Sequence, residues 1–107
     1  MINWENDLNV NEIREIRTRT TVYFGCGAIQ KINDIAALYS KRGIDKVVVM
    51  SGRNAYKSTG AWAVVEKALK DNNIGYINYD KVTPNPTTDA IDEAAKIARD
   101  FEAKAVI

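Results

Sequence analysis

Hydrophobic positions along the chain change their period several times, and the changes mark an alternation of strands and helices. After a charged, weakly patterned opening (1–18), Thr20-Thr21-Val22-Tyr23-Phe24 has the β-branched and aromatic content of a strand, stopped by Gly25 and Gly27. From Ala28 the residues Ala28, Ile32, Ile35, Ala36 and Tyr39 recur at helical spacing, with Lys41 and Arg42 in the last turn and Gly43 beyond. Val47-Val48-Val49-Met50 is apolar on both parities, which predicts a parallel strand covered on both faces and central in its sheet. Ala61, Val64, Val65, Ala68 and Leu69 then form the stripe of a further helix, with Ser58 and Thr59 as candidate caps. Ile74 to Tyr79 reads as a strand. Asp89 to Phe101 carries Ile91, Ala94, Ala95, Ala98 and Phe101 at helical spacing, and Lys104-Ala105-Val106-Ile107 opens another buried strand.

Such alternation implies right-handed βαβ crossovers, hence an α/β, Rossmann-like open parallel sheet with helices on both faces. The 107 residues fit one domain with one core, and no repeat or linker divides them. In open sheets of this kind ligands bind beyond the carboxyl ends of the strands, which directs attention to Ser51–Thr59 and Val82–Thr88. Trp4, Leu8, Ile13 and Ile16 predict that the opening segment packs against something.

Composition removes several chemistries. With 15 Lys plus Arg, 14 Asp plus Glu and interspersed signs, the formal charge of +1 provides no basic face for a polyanion, so nucleic acid is not an expected partner. No apolar run approaches the length of a membrane span, and the cytoplasm is the expected compartment. Without His, and with Cys26 alone, the chain has no internal disulfide, no Cys/His metal cluster and no His-activated nucleophile. Cys26 is expected to be a small buried side chain.

Three segments carry candidate chemistry. Gly25-Cys26-Gly27-Ala28-Ile29-Gln30 begins like a dinucleotide fingerprint, but Gln30 takes the third glycine position, so a plain turn before a helix is the better reading. Ser51-Gly52-Arg53-Asn54-Ala55-Tyr56-Lys57 follows the most hydrophobic strand, where dinucleotide-binding folds place the residue that reads the adenosine ribose. A carboxylate there would accept from a 2′-hydroxyl and repel a 2′-phosphate, and none is present. Gly52 leaves room, Ser51 and Asn54 can donate, and Arg53 or Lys57 can pair with phosphate, a set that favours NADP over NAD. The same residues also compose an ordinary solvated βα loop, and both readings stand at this level. In Thr83-Pro84-Asn85-Pro86-Thr87-Thr88 the prolines stiffen a loop that presents Asn85, either to a cofactor or to solvent, while Thr87 or Thr88 caps the next helix.

From about Thr20 to Ile107 these segments, in this order, resemble the iron-containing (group III) alcohol dehydrogenases. Tyr23-Phe24-Gly25-Cys26-Gly27-Ala28, Ser51-Gly52-Arg53-Asn54 with Lys57-Ser58-Thr59-Gly60, and Val82-Thr83-Pro84-Asn85-Pro86-Thr87 carry the resemblance. It implies the amino-terminal part of the cofactor domain of an oxidoreductase that moves hydride between NADP, or NAD, and a small alcohol or aldehyde, usually as a homodimer with Thr20–Phe24 near the interface. It further implies that the position of Gly52 is often Asp in NAD-preferring members, and that Asn85 lies near the cofactor. Family members continue with a Gly-Gly-Gly-Ser phosphate loop and a helical domain that holds iron or zinc through one Asp and three His. None of that is in this sequence, so residues 1–107 are expected to be a cofactor-domain portion that is inactive in isolation. The alternative expectation is a free-standing, non-catalytic α/β module whose strand edge at Lys104–Ile107 binds a partner chain.

Overall fold

The computed structural model describes Asn6 and residues 18–107. The expectation for Trp4, Leu8, Ile13 and Ile16 lies outside the described residues. A 3-10 turn (Ala28–Lys31) leads into α1 (Ile32–Lys41), β1 (Lys46–Met50), a one-turn helix α2 (Ala55–Ser58), α3 (Ala61–Asp71), β2 (Gly75–Tyr79), α4 (Thr88–Phe101) and β3 (Ala105–Val106). The three strands form one parallel sheet in the order β2-β1-β3. β1 is central and Val47, Val48 and Val49 are buried, as their unbroken apolar run predicts.

Alternating side chains of β1 serve different layers. Val47 and Val49 join Ala36 of α1, Val65, Ala68 and Leu69 of α3, and Ile74 in the core cluster. Val48 and Met50 face α4, where they line a cleft with Ala94, Ala98 and Val106. The β1-to-β2 crossover thus uses one face, and the β2-to-β3 crossover runs back past β1 on the other. Reversing direction while changing face keeps both crossovers of one hand. It also puts the turn-back of the strand order at β1, so the segment leaving Met50 occupies the switch point of the sheet.

The helix ends are set by local chemistry. Thr87 caps α4 by accepting a hydrogen bond from the Ala90 amide at 3.2 Å, one of the two expected threonines. Ser58 and Thr59 do not cap α3. Their hydroxyls donate back to the Ala55 carbonyl at 3.4 and 2.7 Å, and Gly60, at φ +83°, takes the N-cap position instead. That left-handed turn separates α3 from α2, a helix too short to be visible in hydrophobic periodicity.

Four further expectations are corrected. Thr20–Phe24 forms no strand; it has no ladder partner among the described residues, and Phe24 is 100 % exposed. Strand-type composition describes a segment suited to a pleated surface, and a strand forms only where a second one lies beside it. The helix expected from Ala28 begins as a 3-10 turn and becomes α-helical only at Ile32. Cys26, in the turn just before it, is exposed rather than buried. Val106 of β3 is 62 % exposed, because β3 is an edge strand with α4 only partly over it.

Candidate functional site

At the carboxyl edge, backbone hydrogen bonds carry the sheet one residue beyond its strands. The Ser51 amide donates to the Tyr79 carbonyl at 2.9 Å, and the Val82 amide donates to the Ser51 carbonyl at 3.1 Å. On the other side of β1 the Met50 amide donates to the Ile107 carbonyl at 2.8 Å. The segment after β1 is thereby stitched to the root of the loop that carries Asn85. The structure brings the two sequence-predicted segments together at this point.

The residues of the first segment differ in what they offer. The Ser51 hydroxyl oxygen is buried with no hydrogen-bond partner among the described residues. An unpaired buried hydroxyl costs about 1–3 kcal/mol, and a bound polar group would remove that cost. Gly52 adopts no left-handed conformation, and an added Cβ would meet only the Val82 carbonyl oxygen, at an ordinary 3.8 Å. Its missing side chain is therefore open space beside Ser51 rather than a backbone requirement. Arg53, Asn54 and Lys57 are exposed on the following turn. The Asn54 carbonyl accepts from the Lys57 and Ser58 amides, each at 3.0 Å, and so starts α2. The Lys57 ammonium lies 5.5 Å from the centroid of the Tyr56 ring.

Asn85 is exposed between Pro84 and Pro86 in the loop from β2 to α4. Beneath that loop lies a feature that sequence reasoning missed, a wholly apolar cavity of about 140 Å³ lined by Met50, Tyr79, Val82, Pro86, Ala90 and Ile91. Its only sequence signal is the large apolar or aromatic residue that closes β1 and β2, Met50 and Tyr79. The Tyr79 hydroxyl donates to Glu93 at 3.4 Å, and burial, with the Glu93 charge beside it, pushes the phenol above its ordinary range. A larger hollow of about 400 Å³ lies between Phe24 and the first turn of α1 at Asp34, and none of the predicted site residues lines it.

Metal chemistry finds no support in the residues at hand. Among the described residues no group of three or more His, Cys, Asp or Glu could hold a metal ion, and the whole sequence contains no His. A dinucleotide fits better. The orphaned Ser51 hydroxyl, the space at Gly52 and the cations Arg53 and Lys57 form a donor set without a carboxylate, at the sheet edge where α/β folds bind such ligands.

Among curated proteins the chain is 50 % identical over 104 residues to the long-chain primary alcohol dehydrogenase AdhA of Thermoanaerobacter ethanolicus, a match over 97 % of this chain and 26 % of that protein. It superposes with a TM-score of 0.75 on an NADH-dependent butanol dehydrogenase A from Thermotoga maritima, at 29 % identity, over 89 % of this chain and 23 % of that one. An archaeal halo-thermophilic alcohol dehydrogenase from a Red Sea brine pool, as its H277A mutant, gives 0.73 at 27 % identity with the same two coverages. The chain thus spans about a quarter of the length of the relatives it matches. Because the family model described as iron-containing alcohol dehydrogenase matches residues 19–107, nearly the entire length, this chain belongs to the iron-containing alcohol dehydrogenase family.

Proposed function

We propose that residues 1–107 are the amino-terminal portion of the cofactor domain of a metal-dependent alcohol dehydrogenase that prefers NADP to NAD and interconverts small alcohols and aldehydes. The observation that carries this reading is the carboxylate-free cradle after β1, with a buried unpaired Ser51 hydroxyl, an open Gly52 and two cations on the next turn. Ser51 would donate to the adenosine ribose or its phosphate, Arg53 and Lys57 would pair with a 2′-phosphate, and Asn85 would hold the cofactor from the facing loop. The Thermotoga relative is described as NADH-dependent. An NAD site of this fold type calls for an acidic residue on the ribose hydroxyls, and this turn has none.

When bound, the nicotinamide supplies the acceptor or donor of hydride. This chain's own residues would hold the adenosine end. The described residues hold no set that fits a metal, so on this reading the metal ligands lie outside them and residues 1–107 alone are expected to be inactive. On this reading the complete protein is, like the family it belongs to, a cytoplasmic homodimer; no helix among the described residues is long and apolar enough to cross a membrane.

Calorimetric titration of the complete protein with NADPH and NADH, beside Gly52→Asp, tests the proposal. The substitution is expected to weaken NADPH by at least about tenfold, through repulsion of the 2′-phosphate, and to leave NADH unchanged or tighter. Unaltered preference would remove the 2′-phosphate reading. A second reading is favoured by the exposure of Val106, Met50 and Ile91 along the β3 side, a surface able to seat a partner chain in a non-catalytic module. NADPH and NADH both failing to bind would leave that reading standing.

A further inference from the structure

A file of aromatic side chains crosses from the candidate cofactor turn to the far edge of the sheet. The rings of Tyr56 in α2 and Trp62 in the first turn of α3 meet edge-on, with centroids 5.8 Å apart at 68°. Trp62 in turn meets Tyr76 of β2 at 5.2 Å and 80°. The Tyr76 hydroxyl donates to Glu66 at 2.5 Å, and Glu66 faces Lys70 at 3.5 Å. At the near end the Lys57 ammonium rests against the Tyr56 ring. Trp62 and Tyr76 are also packed on the core cluster, so the file is anchored at its middle and its far end, while Tyr56 and Lys57 hang from it.

That arrangement answers a difficulty in the site. A helix of four residues is not stable by itself, because its few internal hydrogen bonds cannot offset the ordering of its backbone. Arg53 and Asn54 lead directly into α2, and Lys57 lies within it. Their placement therefore depends on what holds α2, and the only aromatic residue of α2 is docked on Trp62. We propose that Trp62 is a positioning residue for 2′-phosphate recognition: through Tyr56 it fixes the one-turn helix that aims Arg53 and Lys57, and so acts on cofactor selectivity without touching the cofactor. The inference rests on the NADP reading above, and its test separates the two.

Binding of adenosine 2′,5′-bisphosphate and of AMP to the intact protein is measured for Trp62→Leu, Trp62→Phe, Tyr56→Leu and Arg53→Ala. Trp62→Leu is expected to weaken the bisphosphate about tenfold and AMP less than about twofold, while Trp62→Phe, which keeps an edge-on ring, recovers most of the loss. If Trp62→Leu does not fold, Tyr56→Leu cuts the same file at an exposed-side contact and is expected to give the same ligand-selective loss. Should Arg53→Ala weaken the bisphosphate while both Leu variants leave it unchanged, the positioning role is overturned and the cofactor reading survives. Equal weakening of both ligands with no rescue by Phe would show a merely structural tryptophan and would also overturn it. If Arg53→Ala and Gly52→Asp alike leave the bisphosphate unaffected, the NADP reading fails and takes this inference with it.

Discussion

The two faces of the sheet are built from similar residues and end in different states. On one face Val47 and Val49 meet α1 and α3, and Ala36, Val65, Ala68 and Leu69 are all buried. On the other, α4 buries Val48 and Ala94, yet Ile91 is 55 % exposed and Val106 and Met50 are open beside it. An apolar stripe reports that a surface is able to be covered; how much of it is covered depends on how many elements arrive. Two helices close the first face, and a single helix over an edge strand leaves the second ajar.

Substitutions separate the faces, beginning with the largest effect. Leu69→Ala, in the closed layer, is expected to destabilise the chain by about 2–5 kcal/mol in urea unfolding, through lost burial and a cavity. Thr87→Ala removes the hydroxyl that holds the Ala90 amide and should cost about 1 kcal/mol, read as faster hydrogen exchange in α4 than in α3. Ile91→Ser, on the open side, is expected to change stability by less than about 0.5 kcal/mol; a cost like that of Leu69→Ala would mean that this face is closed.

The smallest effect is electrostatic. Lys104, entering β3, hydrogen-bonds Asp45 at 3.1 Å and donates to the Gly43 carbonyl, and the ammonium holds the Asp45 carboxyl below its ordinary 3.8. A depressed carboxyl stabilises the fold above its unfolded value, and that contribution fades as pH falls through the lower, folded one. Both side chains are exposed, so the effect is slight. Acid titration of β3 amide protection should therefore lose a small component below about pH 3.8 that Asp45→Asn lacks at every pH.

Much of this was legible because it was local or periodic. The all-apolar run of β1 predicts a central strand, and Thr87 lies where a cap belongs. The turn after Met50 advertises its lack of a carboxylate in the residue names alone. Misread segments depended on distant neighbours. Thr20–Phe24 has strand composition but no strand beside it among the described residues, and Cys26 is exposed because the turn that carries it stands outside the core. Ser58 and Thr59 had the right identity for caps, but Gly60 turned the chain between them and α3.

By itself the amino-acid order determined the succession of α1, β1, α3, β2, α4 and β3, the parallel α/β class and the chemical character of the turn after β1, since periodicity and side-chain type are properties of neighbouring residues. Tertiary structure alone decided that the Ser51 hydroxyl would be buried without a partner among the described residues, that Val82 would bring the root of the Asn85 loop against Ser51, and that Tyr56, Trp62 and Tyr76 would align. The Ser51 pairings require the β1–β2 adjacency of the sheet, which sets residues about thirty positions apart side by side, and the aromatic file requires α3 to pack back on β2; no short window of sequence contains either.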